Sequence, residues 1–161
     1  MAIFDLKLAT VTFQDGTTPT PNTLAIKVGE GTLSFTETRN RNYKKDRGKL
    51  YKVVNGDEEP LDVSFDLIWE YLRGDSGHPP SPEDAMKQIN NASTWVSTDA
   101  DTCSPYCIDI FIVFSPACAA DKTEHIQLPQ FRVEKLQYNA KESMVSASGK
   151  CNVTDATITR V

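Results

Sequence analysis

The sequence predicts a mainly β protein: two packed, roughly orthogonal sheets (a sandwich or barrel), with one short flanking α-helix and a long extended β-hairpin loop. Three observations predict it. Leu61, Val63, Phe65, Leu67 and Trp69 alternate with Asp62, Ser64 and Asp66, and a period of two sorts side chains onto opposite faces of a strand. Similar short runs recur between turn-forming stretches, about seven strands by that pattern. Helix-start chemistry is convincing in one place, around Ser81-Pro82-Glu83-Asp84.

A chain of 161 residues fits one domain, 1–161, able to bury roughly two-thirds of its unfolded surface. The apolar fraction is too high for wholesale disorder. No apolar run approaches the roughly 20 residues of a membrane helix; the longest is Ile110 to Phe114. The start, MAIFDLKLAT, lacks the basic region and sustained apolar core of a signal peptide. The expectation is synthesis and folding in a cytoplasm, with no membrane partner.

Taken in order, Leu6 and Leu8 change parity to Ala9, Val11 and Phe13, which predicts a bulge or a face-switching strand. The prolines, threonines and Asn of 16–22 form a loop. Leu24, Ile26 and Val28, then Leu33 and Phe35, read as one long strand bent at Gly29 and Gly31. Asn55-Gly56 is the strongest short hairpin signal, and Pro60 is tolerable as the opening residue of the alternating strand. RGDSGHPPSP (73–82) is a loop, and its Arg73-Gly74-Asp75 tripeptide recurs by chance. Ser81 caps the helix, Pro82 fits its first position, and Glu83 and Asp84 complement its dipole. It ends near Asn90-Asn91, with Trp95 and Val96 continuing the packing. Tyr106 to Phe114 is a central strand whose lone Asp109 reads as an edge or interface contact. Strands over about 125–139 and 142–150 join at Asn139 to Glu142, and Ala156, Ile158 and Arg160 favour a last strand.

Charge singles out one segment. Arg39 to Lys52 holds seven Lys or Arg and a single acid, Asp46, for a local charge of +6; with a total of −5, the rest of the chain carries −11. Clustered cations with Tyr43 and Tyr51 interleaved fit a nucleic-acid contact, yet so acidic a remainder repels phosphate. Complementary patches on identical molecules fit better, because a heterologous contact of that kind propagates into rings or filaments. A merely solvated loop is the third reading.

No catalytic set is legible. His78 and His125 have no HExxH, HxH or Cys partner nearby, and no GxSxG elbow, Walker loop or dinucleotide fingerprint occurs. Glu58-Glu59 and Asp99/Asp101 sit in loops and read as solvated charge. The chain is expected not to be an enzyme and to need no cofactor or metal. Cys103, Cys107, Cys118 and Cys151 match no common zinc spacing. Free, mostly buried thiols, disulfides (between subunits among the options), and a metal site all stay open for them, in that order of preference.

LSFTETRNRNYKKDRGKLYKVVNGDEEPLDVSFDLIWEYL (33–72), PSPEDAMK (80–87) and FRVEKLQYNAKESMVSASGKCNV (131–153) together resemble the tail tube, or major tail, proteins of long-tailed bacteriophages. The resemblance implies hexameric rings that stack into a tube through which the genome passes, in a virion tail assembled in the bacterial cytoplasm. Implied partners are other copies of the chain, with sheath, tape measure, baseplate and tail terminator proteins, and DNA in transit without specific binding. An assembly loop at 39–52 would reach the adjoining subunit or ring through Arg39, Arg41, Tyr43, Lys44, Lys45, Arg47, Lys49 and Lys52. Asp62, Ser64 and Asp66 are the residues expected to face an acidic lumen. A tube component of a contractile injection or secretion system shares this pattern, and a nucleic-acid-binding module using 39–52 is a further alternative.

Overall fold

In a computed structural model, residues 3–28, 32–69, 80–118 and 120–161 are described. The expected bend at Gly29 and Gly31, most of the 73–82 loop with its Arg-Gly-Asp, and His78 lie outside them. About half of the described residues are strand. The ten described strands form two hydrogen-bonded sheets, a large one of eight strands and a separate pair; the mainly β, sandwich-like expectation holds, with the core enclosed by the large sheet and without a closed barrel.

The large sheet runs β2 (Thr23–Ile26), β1 (Ala9–Gln14), β7 (Ile108–Phe114), β8 (Glu124–Asn139), β9 (Met144–Cys151), β6 (Leu61–Ile68) and β3 (Leu33–Thr36), with β10 (Thr157–Arg160) also paired to β8. The 16-residue β8 belongs to both halves. Its first part pairs with β7 and β10, and its second with β9. Between them Pro129 lacks an amide hydrogen and Gln130 takes φ of 54°, and the β7 register slips there. A strand that changes layer through such a bend is how two sheets come to share one core. The bend also switches the buried parity from Ile126 and Leu128 to Phe131, so the apolar side stays inward.

Asp109 is what makes the bend tolerable. Its carboxylate accepts from the Gln130 amide at 3.0 Å and from Gln127 Nε2 at 3.2 Å, satisfying a donor that the ladder has lost. The residue is therefore a structural acceptor in a central strand, not an edge contact. The second half is tied just as closely: a Cβ on Gly149 of β9 would collide with the Arg132 carbonyl of β8.

Phe13 of β1 meets Phe65 of β6 with ring centroids 5.9 Å apart, and Phe65 meets Phe131 of β8 at 5.7 Å. These contacts join the halves around a single cluster that includes Leu61, Val63, Leu67, Ile110 and Leu128. Trp69, though in phase with β6, lies beyond its end, half exposed, its ring tilted against that of Tyr138 with centroids 5.2 Å apart.

Four local expectations are corrected. Leu6–Leu8 is a 3-10 turn capped by Asp5, so the parity change marks the start of β1 and not a bulge. Leu24 to Phe35 is two strands at opposite ends of the sheet, since β2 pairs with β1 and β3 with β6. Asn55-Gly56 lies inside a strand, β5 (Lys49–Glu58), where Gly56 lets the backbone approach Asn40. The 39–52 segment is not a loop: β4 (Arg39–Asp46) pairs antiparallel with β5. The reversal falls at Arg47-Gly48, with φ of 50° and 83°, the two positive values that a tight hairpin turn of the right twist requires.

Helix α1 (Pro82–Lys87) begins as expected, with Ser81 Oγ accepting from the Asp84 amide. It stops early at Gln88, which takes the left-handed conformation, and a 3-10 turn covers Asn90–Ala92. So short a helix depends on its surroundings. Ala85 and Met86 are buried, Tyr106 Oη donates to the Ala85 carbonyl at 2.8 Å, and Gln88 Nε2 donates to the Trp95 carbonyl at 2.6 Å. Trp95 is buried as expected, whereas the Val96 side chain is half exposed; it is the Val96 amide that matters, as a donor to Asp15.

Candidate assembly interface

The β4–β5 hairpin stands away from the sandwich. Strands of its length reach roughly 25 Å at about 3.4 Å per residue. Among the described residues no other element makes more than marginal contact with either strand. Its root is anchored: Arg39 pairs with Asp155 at 2.9 Å and Glu37 at 3.4 Å, and Asn40 Nδ2 donates to Glu59 Oε1 at 3.1 Å. Beyond the root, Arg41, Tyr43, Lys44, Lys45, Arg47, Lys49 and Lys52 are all exposed.

Charge alone would describe a solvated ribbon. Tyr43, Leu50, Tyr51, Val53 and Val54 are exposed as well, Tyr51 at 76%. An isolated two-stranded hairpin is marginally stable in water, and contiguous exposed apolar side chains mark an interaction surface. Lys44 stands directly opposite Lys52, a pairing of like charges that costs stability unless acids lie nearby. The sequence pattern shows the cations; it conceals the apolar half of the ribbon, because Val53 and Val54 read as an ordinary buried strand.

The residues expected to face a lumen lie together on the outer side of β6. Asp62 is exposed 3.8 Å from Lys150, Ser64 Oγ is 2.9 Å from Ser34 Oγ, and Asp66 accepts from Thr32 Oγ1 at 2.9 Å. They border a shallow polar groove with Ser146, Ser148 and Lys135. Elsewhere Leu33, Phe35, Ile126 and Ile158, with Phe4, line a second, apolar opening.

All four cysteines are unpaired within the chain. Cys107 and Cys151 are buried, Cys103 and Cys118 exposed. Burial, with Asp109 and Cys107 nearby, pushes the Cys151 thiol up to about 12. No group of three or more metal-binding side chains forms among the described residues. His125 is exposed. Asp99 is not simply solvated: it pairs with Arg132 at 2.9 Å, both side chains largely covered. The Asp101 amide and the Arg132 guanidinium hold its carboxyl below the usual range against partial burial.

No family model matches the chain, and no curated protein does. Solved structures do. A chain from an extracellular contractile injection system, described as a PVC sheath/tube terminator in the extended state, superposes with a TM-score of 0.59 over 99% of this chain and 98% of that one, at 8% identity. A chain of the anti-feeding prophage baseplate gives 0.47 over 94% and 91%, at 11% identity. The first likeness is one of fold over the whole chain. It shows that the two chains share a fold.

Proposed function

We propose that the chain is a structural, non-catalytic subunit of a phage-tail-like assembly, forming hexameric rings that stack into a tail tube conducting a genome. The observation that carries this reading is the projecting hairpin, +6 over 39–52 and studded with exposed apolar side chains, on a body of opposite charge. Such an arm is completed by a neighbour of the same kind. The virion tail is the corresponding location, and sheath, tape measure, baseplate and terminator proteins are the corresponding partners.

A second reading, a tube or terminator subunit of a contractile injection system, is favoured by the full-length likeness to the chain from such a system. A tube subunit and a terminator subunit behave differently in isolation. Negative-stain microscopy of purified protein is expected to show hollow filaments that lengthen with concentration. Single rings that never elongate support the terminator role, and a monomer at all concentrations overturns both. Tight, salt-sensitive DNA binding in a shift assay would instead favour the nucleic-acid reading.

A further inference from the structure

We propose that the β4–β5 hairpin is a wedge held between two other copies of the chain, one against each of its faces. This rests on the assembly reading. Val53 and Val54 are neighbours in a strand, so their side chains point to opposite faces of the ribbon, and they are 53% and 41% exposed. Val53 shares its face with Tyr43, its cross-strand partner, and Val54 shares the other with Asn42 and the opposed Lys44 and Lys52. Leu50, opposite Lys45, continues the Tyr43 face towards the tip.

An arm that lies on one surface needs one apolar face and leaves the other to water. Here both faces mix apolar side chains with cations, and neither is covered by the chain's own body. Burying only one face would leave exposed apolar surface on the other, together with the Lys44–Lys52 repulsion. Acidic surfaces on both sides remove both penalties. The chain itself supplies such surface, since its residues outside 39–52 sum to −11. The two faces look in opposite directions and each carries its own apolar and basic side chains, so the wedge places a separate copy against each.

Photo-crosslinking tests the wedge. Full-length protein carrying Val53→benzoylphenylalanine or Val54→benzoylphenylalanine is assembled and irradiated, and the captured peptides are identified. Both positions are expected to give crosslinked dimers, through peptides from different regions of the chain. The doubly substituted chain is expected to add a trimer band on a denaturing gel. Val53→Ser and Val54→Ser should each weaken assembly by roughly tenfold or more in sedimentation. If protein that still assembles crosslinks from one position only, or both positions capture the same peptide, the wedge fails while the assembly reading survives. If unmodified protein remains monomeric at every concentration, both fall together.

Discussion

Asp15 is the clearest case of one residue organising its neighbourhood. It is 2% exposed, and its carboxylate accepts from the Thr17 and Asn22 amides, Thr17 Oγ1, Asn22 Nδ2 and the Val96 amide. Burial pushes its pKa up, but these donors together hold it below the ordinary carboxylate value. A depressed folded pKa contributes stability above the unfolded value of about 4, and that contribution is lost as the pH falls through the folded one. Asp15→Asn is therefore expected to cost about 2–4 kcal/mol at neutral pH and distinctly less at pH ~3. Urea unfolding at the two pH values checks it, and an equal cost at both contradicts the charge argument. The thiols sort at the same scale. Maleimide is expected to label Cys103 and Cys118 in the native protein and to reach Cys107 and Cys151 only after unfolding, as counted by mass spectrometry. Thiolate is the reactive form, and burial suppresses it.

Among the elements, the hairpin and the helix are held by opposite means. The helix is capped by its own sequence and then clamped by Tyr106 and Gln88, so Ser81→Ala should lower stability by about 1 kcal/mol, measurable in thermal unfolding without loss of assembly. The hairpin has a good turn and an anchored root, but little else on this chain to hold it. Reversing Arg41, Lys44 and Lys45 to Glu is expected to leave the circular dichroism and melting of the sandwich unchanged while abolishing filaments. Normal filaments from that variant would contradict the role of the arm.

At the scale of the molecule, an arm of +6 and a remainder of −11 make self-association sensitive to screening. Raising salt from about 0.05 to 0.5 M shortens the Debye length several-fold, so filaments or rings should weaken as cation–acid contacts are screened. Apolar contacts at Val53, Val54 and Leu50 should leave part of the association intact. Light scattering across a salt series reads both contributions. Growth of assemblies with added salt would mean that the apolar half of the ribbon dominates.

Strand content, the helix start and the basic segment could be read from local pattern, because alternation, capping and charge are properties of neighbouring residues. The alternation of Leu61 to Leu67 predicted a strand with one buried face, and all four apolar residues are in the core. Other features depend on residues far apart in the chain. Asn55-Gly56 carries a turn signal, yet Arg47-Gly48 turns, because β4 and β5 pair in the register that puts the reversal there. The basic segment looked like a loop because its strand residues alternate Arg, Asn and Lys in place of apolar side chains. Asp109 looked out of place until β8 bent against it at Gln130. Charge along the chain thus identified the arm, whereas its exposure on both faces arises from the fold: pairing turned it into a ribbon, and the closed core of the sandwich left it nothing to pack against.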